Sequence, residues 1–337
     1  MGSAMIMAGR LMGALDARRL TCDRLSKTYS AGTREALSSV SFSVPASGIF
    51  VLIGRNGSGK TTLIRILATE LEPTSGRASF DGLDVMRDAV RLREKIAIVP
   101  QEARTVPWMT PMQTVSSYLL WRGFGYSEAR HRAADALDSL GMKVYMNRLN
   151  RTLSGGMKRK VLVAAVLSSD AEIIFLDEPT TGLDPVSRRE FWELMREIEK
   201  ERFTFLTTHY LEEAEALGDR IGMLESGRLV RMGTLEDLRR SVRYSYSVVI
   251  PAGQKQPVLR VGDGEVMHGS YGSRILTGEE EAFRISRDLI KDGIRFSINP
   301  VSLDDIFFYL VNREGIEYAG NQGADLEQLH QHYKEEE

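Results

Sequence analysis

With Cys22 as its only cysteine, this chain of 337 residues can form no internal disulfide. That excludes a disulfide framework and fits a reducing compartment such as the cytosol. Long apolar runs are also missing: a bilayer-crossing helix needs roughly 20 such residues, and Val161–Leu167 is among the longest here. If the protein works at a membrane, another chain must supply the spans. An excess of either charge is missing as well: 44 Lys+Arg stand against 46 Asp+Glu, and a net charge of −2 gives no global attraction to nucleic acid. The charges are unevenly placed. Residues 1–240 hold 34 Lys+Arg against 30 Asp+Glu, and residues 241–337 hold 10 against 16, so the C-terminal part is acidic. No internal repeat is visible. What remains, 42% hydrophobic and 27% charged residues, is the composition of a globular chain with a real core, and the length suggests two domains.

The most informative stretch is Gly54-Arg55-Asn56-Gly57-Ser58-Gly59-Lys60-Thr61, followed by Thr62. Four residues separate Gly54 from Gly59, and Lys and Thr come next, which is the spacing of a phosphate-binding loop. The apolar run Ile49–Ile53 before it reads as a buried strand, and Leu63, Ile64, Ile66 and Leu67 after it have helical spacing. Glycines let backbone N–H groups turn toward a phosphate, and a helix N-terminus adds partial positive charge. Lys60 can reach the β- and γ-phosphates of a nucleotide, and the Thr61 hydroxyl can ligate Mg²⁺. Alone, the loop says nucleotide and does not say which nucleotide enzyme.

Further candidates follow in order. Tyr29 lies in a turn between strand-like segments, where it either stacks on an adenine ring or sits at a strand edge. Ile96–Val99 is a second buried strand, ended by Pro100-Gln101. Leu153-Ser154-Gly155-Gly156 opens a helix, with Ser154 placed to cap it. Two glycines at a helix start lower helix propensity, which makes sense where a phosphate must approach the backbone. Ile173–Leu176 is an apolar strand ending in Asp177-Glu178, and the carboxyl end of a strand in an open α/β sheet is where ligands bind. Asp177 suits Mg²⁺ held through water, and Glu178 suits orienting or deprotonating an attacking water. Asp184-Pro185 starts the next helix, a capping role that explains Asp184 structurally. His209 follows the strand Phe203–Thr207 at the same sheet edge. His330 and His332 have no third ligand nearby and read as part of a solvated tail.

The organisation expected is a flexible segment at 1–19 and an α/β ATP-binding unit at 20–240, with strands and turns in 20–48. A mostly helical insert at about 103–150 exposes Trp108 in a loop that offers a partner surface. A small α+β unit follows at 241–315, then a polar tail at 316–337 without fixed structure.

From Leu20 to Leu238, about two-thirds of the chain, the sequence resembles the ATP-binding subunit of an ABC transporter. The phosphate loop, Gln101, Leu153–Gly156, Ile173–Glu178, Thr181–Asp184 and His209 occur in that family's order. Met157-Lys158-Arg159-Lys160, Thr207–Ala214 and Ser302-Leu303-Asp304-Asp305-Ile306-Phe307 are similar to its drug-export type, in which ATPase and permease are separate chains. The resemblance implies a P-loop α/β core with an antiparallel β subdomain, bound ATP and Mg²⁺, and Tyr29 on the adenine. It also implies a head-to-tail dimer of ATPase subunits. Each ATP would lie between residues 54–62 of one copy and Ser154–Gly156 with Asp184 of the other. Thr61, Gln101 and Asp177 would serve the metal. Glu178 would act on water, His209 on the γ-phosphate, and Lys60 on the phosphates. The chain would sit peripherally at the cytoplasmic face of the membrane, bound to a permease and not to nucleic acid. A soluble ATPase of DNA repair or translation lacks support, since there is no coiled-coil insert, second cassette or basic tail; a P-loop kinase or GTPase has no need of Leu153–Gly156; an importer subunit differs only in its partner.

Overall fold

The computed structural model describes residues 18–29, 35–198, 202–253, 262–269 and 272–313. The expected flexible start up to residue 17, a strand at Val258–Val261 and the polar tail lie outside them.

In chain order, β1 (Arg19–Thr28) and β2 (Glu35–Pro45) pair antiparallel and precede β3 (Gly48–Ile53), the phosphate loop and α1 (Lys60–Leu67). β4 (Ser75–Phe80) and β5 (Leu83–Asp84) complete an antiparallel sheet of order β2-β1-β4-β5. Then come α2 (Ala89–Lys95), β6 (Ile96–Val99), α3 (Pro111–Trp121), α4 (Tyr126–Ser139), α5 (Gly155–Leu167), β7 (Ile173–Asp177), α6 (Pro185–Ile198) and β8 (Phe203–Thr208). The chain continues with α7 (Leu211–Leu217), β9 (Arg220–Glu225), β10 (Arg228–Gly233) and α8 (Leu235–Arg240). β11 (Tyr246–Pro251), β12 (Gly264–Gly269), β13 (Gly272–Thr277), α9 (Glu279–Lys291), β14 (Ser297–Pro300) and α10 (Leu303–Arg313) follow.

The central sheet has the order β10-β9-β3-β8-β7-β6, parallel except where β10 pairs with β9. Its strands are near-continuous apolar runs because both faces are covered. Alternate residues go to opposite layers. Val51, Ile53, Ile174, Leu176 and Leu206 face Val163 and Val166 of α5 and Phe191 and Met195 of α6. Phe50, Leu52, Phe175 and Phe205 face Leu63, Ile64 and Leu67 of α1 and the antiparallel sheet. Since β3, β6, β7 and β8 run in one direction, the residues that follow them emerge at one edge: the phosphate loop, Gln101, Glu178 and His209.

The helical insert is present as α3 and α4. A reciprocal Thr110–Gln113 capping box and Pro111 fix the start of α3. Val115, Leu119, Ala133 and Leu137 pack against Val161 and Ala165 of α5. The expected α/β core with an antiparallel sheet and a helical insert is therefore the architecture observed.

Some element boundaries differ from expectation. Glu72–Gly76 reads from sequence as a turn, and its last two residues instead begin β4, of which only Ala78 and Phe80 are buried. The stretch from Gly264 to Leu276 supplies two strands, β12 and β13, paired antiparallel. The strand expected at Ile294–Ile298 begins at Ser297, since Gly293 at φ +67° still belongs to the turn leaving α9. The last sheet, β12-β13-β11-β14, packs α9 on Val248, Ile250 and Ile275. It is not a detached body: Val242, Tyr244, Leu303, Ile306 and Leu310 join one apolar cluster with Leu217, Val230 and Leu238.

Phe205 is fully buried with ring centroids 5.0 Å from Phe50 and 5.8 Å from Phe175. Phe205→Ala should cost about 3–5 kcal/mol of stability, the range for a large ring deleted from a packed layer. Urea unfolding of the two proteins measures it, and a loss below about 1 kcal/mol would mean that the layer closes over the gap.

Candidate functional site

The loop between β3 and α1 is shaped by its glycines. Gly59 has φ +106°, and a Cβ there would lie 2.4 Å from the Ala36 carbonyl oxygen, so no larger residue fits. Gly57, at φ +79°, has open space where its side chain would be, which leaves the backbone accessible from the cleft. Ser58 N–H donates to the Arg55 carbonyl at 3.1 Å and tightens the loop. The cleft in front has a volume of about 470 Å³ and is lined by residues from 56–62 together with Ala36, Gln101 and Glu178. Tyr29 stands at the end of β1, 41% exposed, with its hydroxyl 3.3 Å from Thr62 Oγ1.

Lys60 is buried, and its Nζ donates to the Gly54 and Arg55 carbonyls at 2.8 and 3.1 Å. It also lies 3.4 Å from Glu178 Oε1. Burial lowers its pKa despite the Glu178 and Asp177 charges. Glu178 Oε2 receives the Gln101 amide at 3.2 Å and the Thr181 hydroxyl at 3.1 Å, and His209 Nδ1 lies 3.1 Å away. Burial alone would raise the Glu178 carboxyl. The His209 hydrogen bond, the Lys60 charge and the Thr181 hydroxyl outweigh it and hold the pKa down at about 2. Both members of the Lys60–Glu178 pair are thus lowered. The carboxylate is the better satisfied partner, because it has donors besides the ammonium, whereas Lys60 loses hydration that one anion does not replace. The backbone of Glu178 is also unusual: φ is +46°, and its N–H donates to both the carbonyl and the hydroxyl of Thr207.

Asp177 is the last residue of β7 and is buried. Thr207 donates to its carboxylate and Thr61 bonds it too, yet burial pushes its pKa up. A hydroxyl and a carboxylate brought together beside a phosphate loop fit Mg²⁺, which keeps waters and phosphate oxygens as its remaining ligands. Among the described residues there is no group of three or more His, Cys, Asp or Glu side chains fit to hold a metal ion. Gln101 donates to Glu178 at the edge of the same site.

The structure thus gathers the phosphate loop, Gln101, Asp177, Glu178 and His209. It does not gather Ser154, Gly155, Gly156 or Asp184, none of which lines the cleft. Ser154 caps α5 through its bond from Met157 N–H at 3.2 Å. A Cβ on Gly156 would come within 3.2 Å of Ser187 Oγ, beside the Asp184 turn. Asp184 accepts from the N–H and hydroxyl of Ser187 at 2.9 and 2.6 Å and caps α6. These residues form a separate exposed surface.

Arg159 is a residue that sequence reasoning missed. Its buried guanidinium donates to the carbonyls of Pro179 at 2.8 Å, Asp177 at 3.0 Å, Glu178 at 3.2 Å and Pro100 at 3.3 Å. It binds the backbone under both carboxylates and before Gln101 to the start of α5. Burial lowers its pKa to about 10, which leaves it charged at neutral pH. The available signal was spacing: Arg159 falls on the helix face of Val163 and Val166, where a charge is out of place.

A family model described as "ABC transporter" matches residues 37–181. The daunorubicin/doxorubicin resistance ATP-binding protein DrrA of Streptomyces peucetius is 31% identical over 94% of this chain and 100% of its own length. The linearmycin resistance ATP-binding protein LnrL of Bacillus subtilis is 33% identical over 65% of this chain and 70% of its own. Among solved structures, the dimeric ATP-binding cassette MJ0796, in a post-hydrolysis state with ADP and Pi, is similar with a TM-score of 0.58 and 26% identity. It covers 64% of this chain and 98% of its own.

The depressed Glu178 pKa has a consequence for stability. A carboxyl at about 2 in the folded chain, against an ordinary 4.5, stabilises the fold above 4.5, and that contribution disappears as pH falls toward 2. The stability advantage of the wild type over Glu178→Gln should therefore be largest at about pH 7 and smaller at about pH 3, as read from urea midpoints. An advantage independent of pH would show that the carboxylate charge is not what is stabilised.

Proposed function

The chain belongs to the ATP-binding subunits of ABC transporters and is an ATPase, and from that premise we propose that it powers export through a separate membrane permease. Support comes from the drug-resistance relatives and from the export-type stretches Met157–Lys160 and Ser302–Phe307. No helix among the described residues is long and apolar enough to cross a membrane, so the proposal gives the spans to the permease and places this chain at its cytoplasmic face. The exposed Trp108 at the start of the insert, 76% exposed, is our candidate for contact with the permease.

One observation carries the mechanism: the cleft holds half of the expected ligands. Lys60 and the loop N–H groups cover one side of a bound triphosphate, and Thr61 and Asp177 suit Mg²⁺, which supplies charge neutralisation at the phosphates. Tyr29 is exposed at the rim and suited to stack on the base. Nothing in the lining closes the opposite side. The N-terminus of α5, with Ser154–Gly156 uncovered and Asp184 beside it, has the electrostatics to do so from a second copy. In this reading ATP joins two subunits head to tail. Phosphate displaces Glu178 as the partner of Lys60. Glu178, still held by Gln101 and His209, then orients the attacking water. So held, Glu178 can both orient that water and accept its proton. His209, relieved of part of its bond to Glu178, contacts the γ-phosphate. Hydrolysis removes the shared ligand and the dimer reopens.

Residues 241–315 are proposed to regulate or assemble. Their contact with the catalytic body includes Leu303 N–H donating to Glu215 Oε1 at 2.8 Å, at the N-terminus of α10. Glu215 lies on α7, so the C-terminal unit abuts the helix that follows His209.

Glu178→Gln should keep ATP binding and lower turnover by about 10²–10⁴-fold, the usual worth of a general base. Near-normal turnover would remove Glu178 from that role. The shared site is tested by mixing Lys60→Ala with Ser154→Arg. Each alone should be nearly inactive, whereas a mixed dimer, verified by two-tag pull-down with ATP, has one site with both halves intact. It should recover at most about half the rate if sites act independently. Where turnover does not recover, counting trapped nucleotide decides: one occluded ATP per mixed dimer keeps the shared site, and none refutes it.

A further inference from the structure

Outside the cleft, the most closely built polar cluster lies between α6 and α7. α6 starts at the Asp184 turn, and Arg188 and Trp192, four positions apart, share one of its faces. Both reach the segment that carries His209. Arg188 Cζ sits 3.9 Å from the centroid of the Tyr210 ring, which in turn lies 4.1 Å from the His209 ring. Trp192 Nε1–H donates to Glu213 Oε1 at 3.1 Å. Glu213 has no exposed surface, although it belongs to a helix whose other acidic residues, Glu212 and Glu215, are not buried. Three further buried polar atoms lie there: Thr180 Oγ1, Arg188 Nε and Glu213 Oε2. Thr180 and Arg188 both act on the Glu213 carboxyl, so the atoms share one locality. They come from the segment after Glu178, from α6 and from α7.

Such a cluster is costly to maintain, because each buried polar group gives up its hydration. An apolar contact would glue two helices together more cheaply. What the polar pair adds is direction, since the indole N–H and the carboxylate oxygen hold at one distance and one angle.

We propose that Trp192 and Glu213, assisted by Arg188 on Tyr210, form a joint that fixes His209 relative to the Asp184 turn of the same chain. Contact of that turn with a second subunit is thereby reported to His209 at the phosphate. Trp192 and Glu213 are positioning residues in this scheme. Neither lines the cleft. The inference rests on the reading of His209 given above and adds the residues that aim it.

The test uses the full chain with ATP hydrolysis as readout. Trp192→Phe keeps the ring and deletes the donor. It should lower kcat about tenfold, the order of one lost hydrogen bond, with KM for ATP nearly unchanged. Glu213→Gln keeps the accepting oxygen and should retain most activity, whereas Glu213→Ala should behave like Trp192→Phe. In a His209→Ala background, followed by single-turnover hydrolysis, Trp192→Phe should cost nothing more. An equal cost in both backgrounds would make the pair merely structural and overturn the proposal, as would unaltered kcat in Trp192→Phe. If that variant does not fold, Arg188→Met on the same face must give the same dependence on His209, and its failure to do so counts equally against the joint. His209→Ala with full turnover would instead bring down the reading of His209, and the joint with it, which separates the two failures.

Discussion

Glu178 is the anion on which the site depends. A lysine as buried as Lys60 cannot sit opposite carbonyl dipoles alone without a large desolvation penalty, and the carboxylate 3.4 Å away offsets it. The same carboxylate collects Gln101, Thr181 and His209. Those donors come from different connections after the parallel strands, so one side chain ties together loops that the fold merely brings to one edge. The left-handed backbone at Glu178 belongs to the same economy. It turns the carboxyl across the end of β7, and bonds to Thr207 on β8 support a conformation that a non-glycine residue seldom adopts. A triphosphate entering this cleft meets a place already organised around negative charge. Lys60 can exchange one anion for another without leaving its burial site.

Much of this was legible because the chemistry is local in sequence. A glycine loop between a strand and a helix must lie near residues 54–61, and an acidic pair ending the run Ile173–Leu176 must sit at a sheet edge. Parallel strands then place Gln101, Glu178 and His209 on that edge together. Periodicity also located α5, α6, α9 and α10. Other features were hidden because they depend on partners far along the chain. β4 is a strand through pairing with β1, and its own residues scarcely alternate. Arg159 looked like one more member of a basic run, and only its burial beneath Asp177 and Glu178 gives it a role. Asp184 was understood as a cap from sequence, and that is the contact it makes. Its separation from the cleft, together with that of Ser154, is a fact of three dimensions that no spacing encodes.

The last sheet illustrates a further limit of reading by composition. The change in pattern near Ser241 marks a new set of elements, yet the apolar cluster runs through it without a break. Val242, Tyr244 and one face of α10 cover Leu217, Val230 and Leu238. These three belong to α7, β10 and α8, and so to the body that holds the nucleotide site. A relative lacking the C-terminal elements would present them to water as a continuous oily surface. Shortening the gene in an ancestor would therefore have required polar replacements at 217, 230 and 238 at nearly the same time, and lengthening it would have required the reverse. The C-terminal elements and the catalytic body share one apolar interior, so lineages that differ in the presence of that segment should differ inside the catalytic body as well.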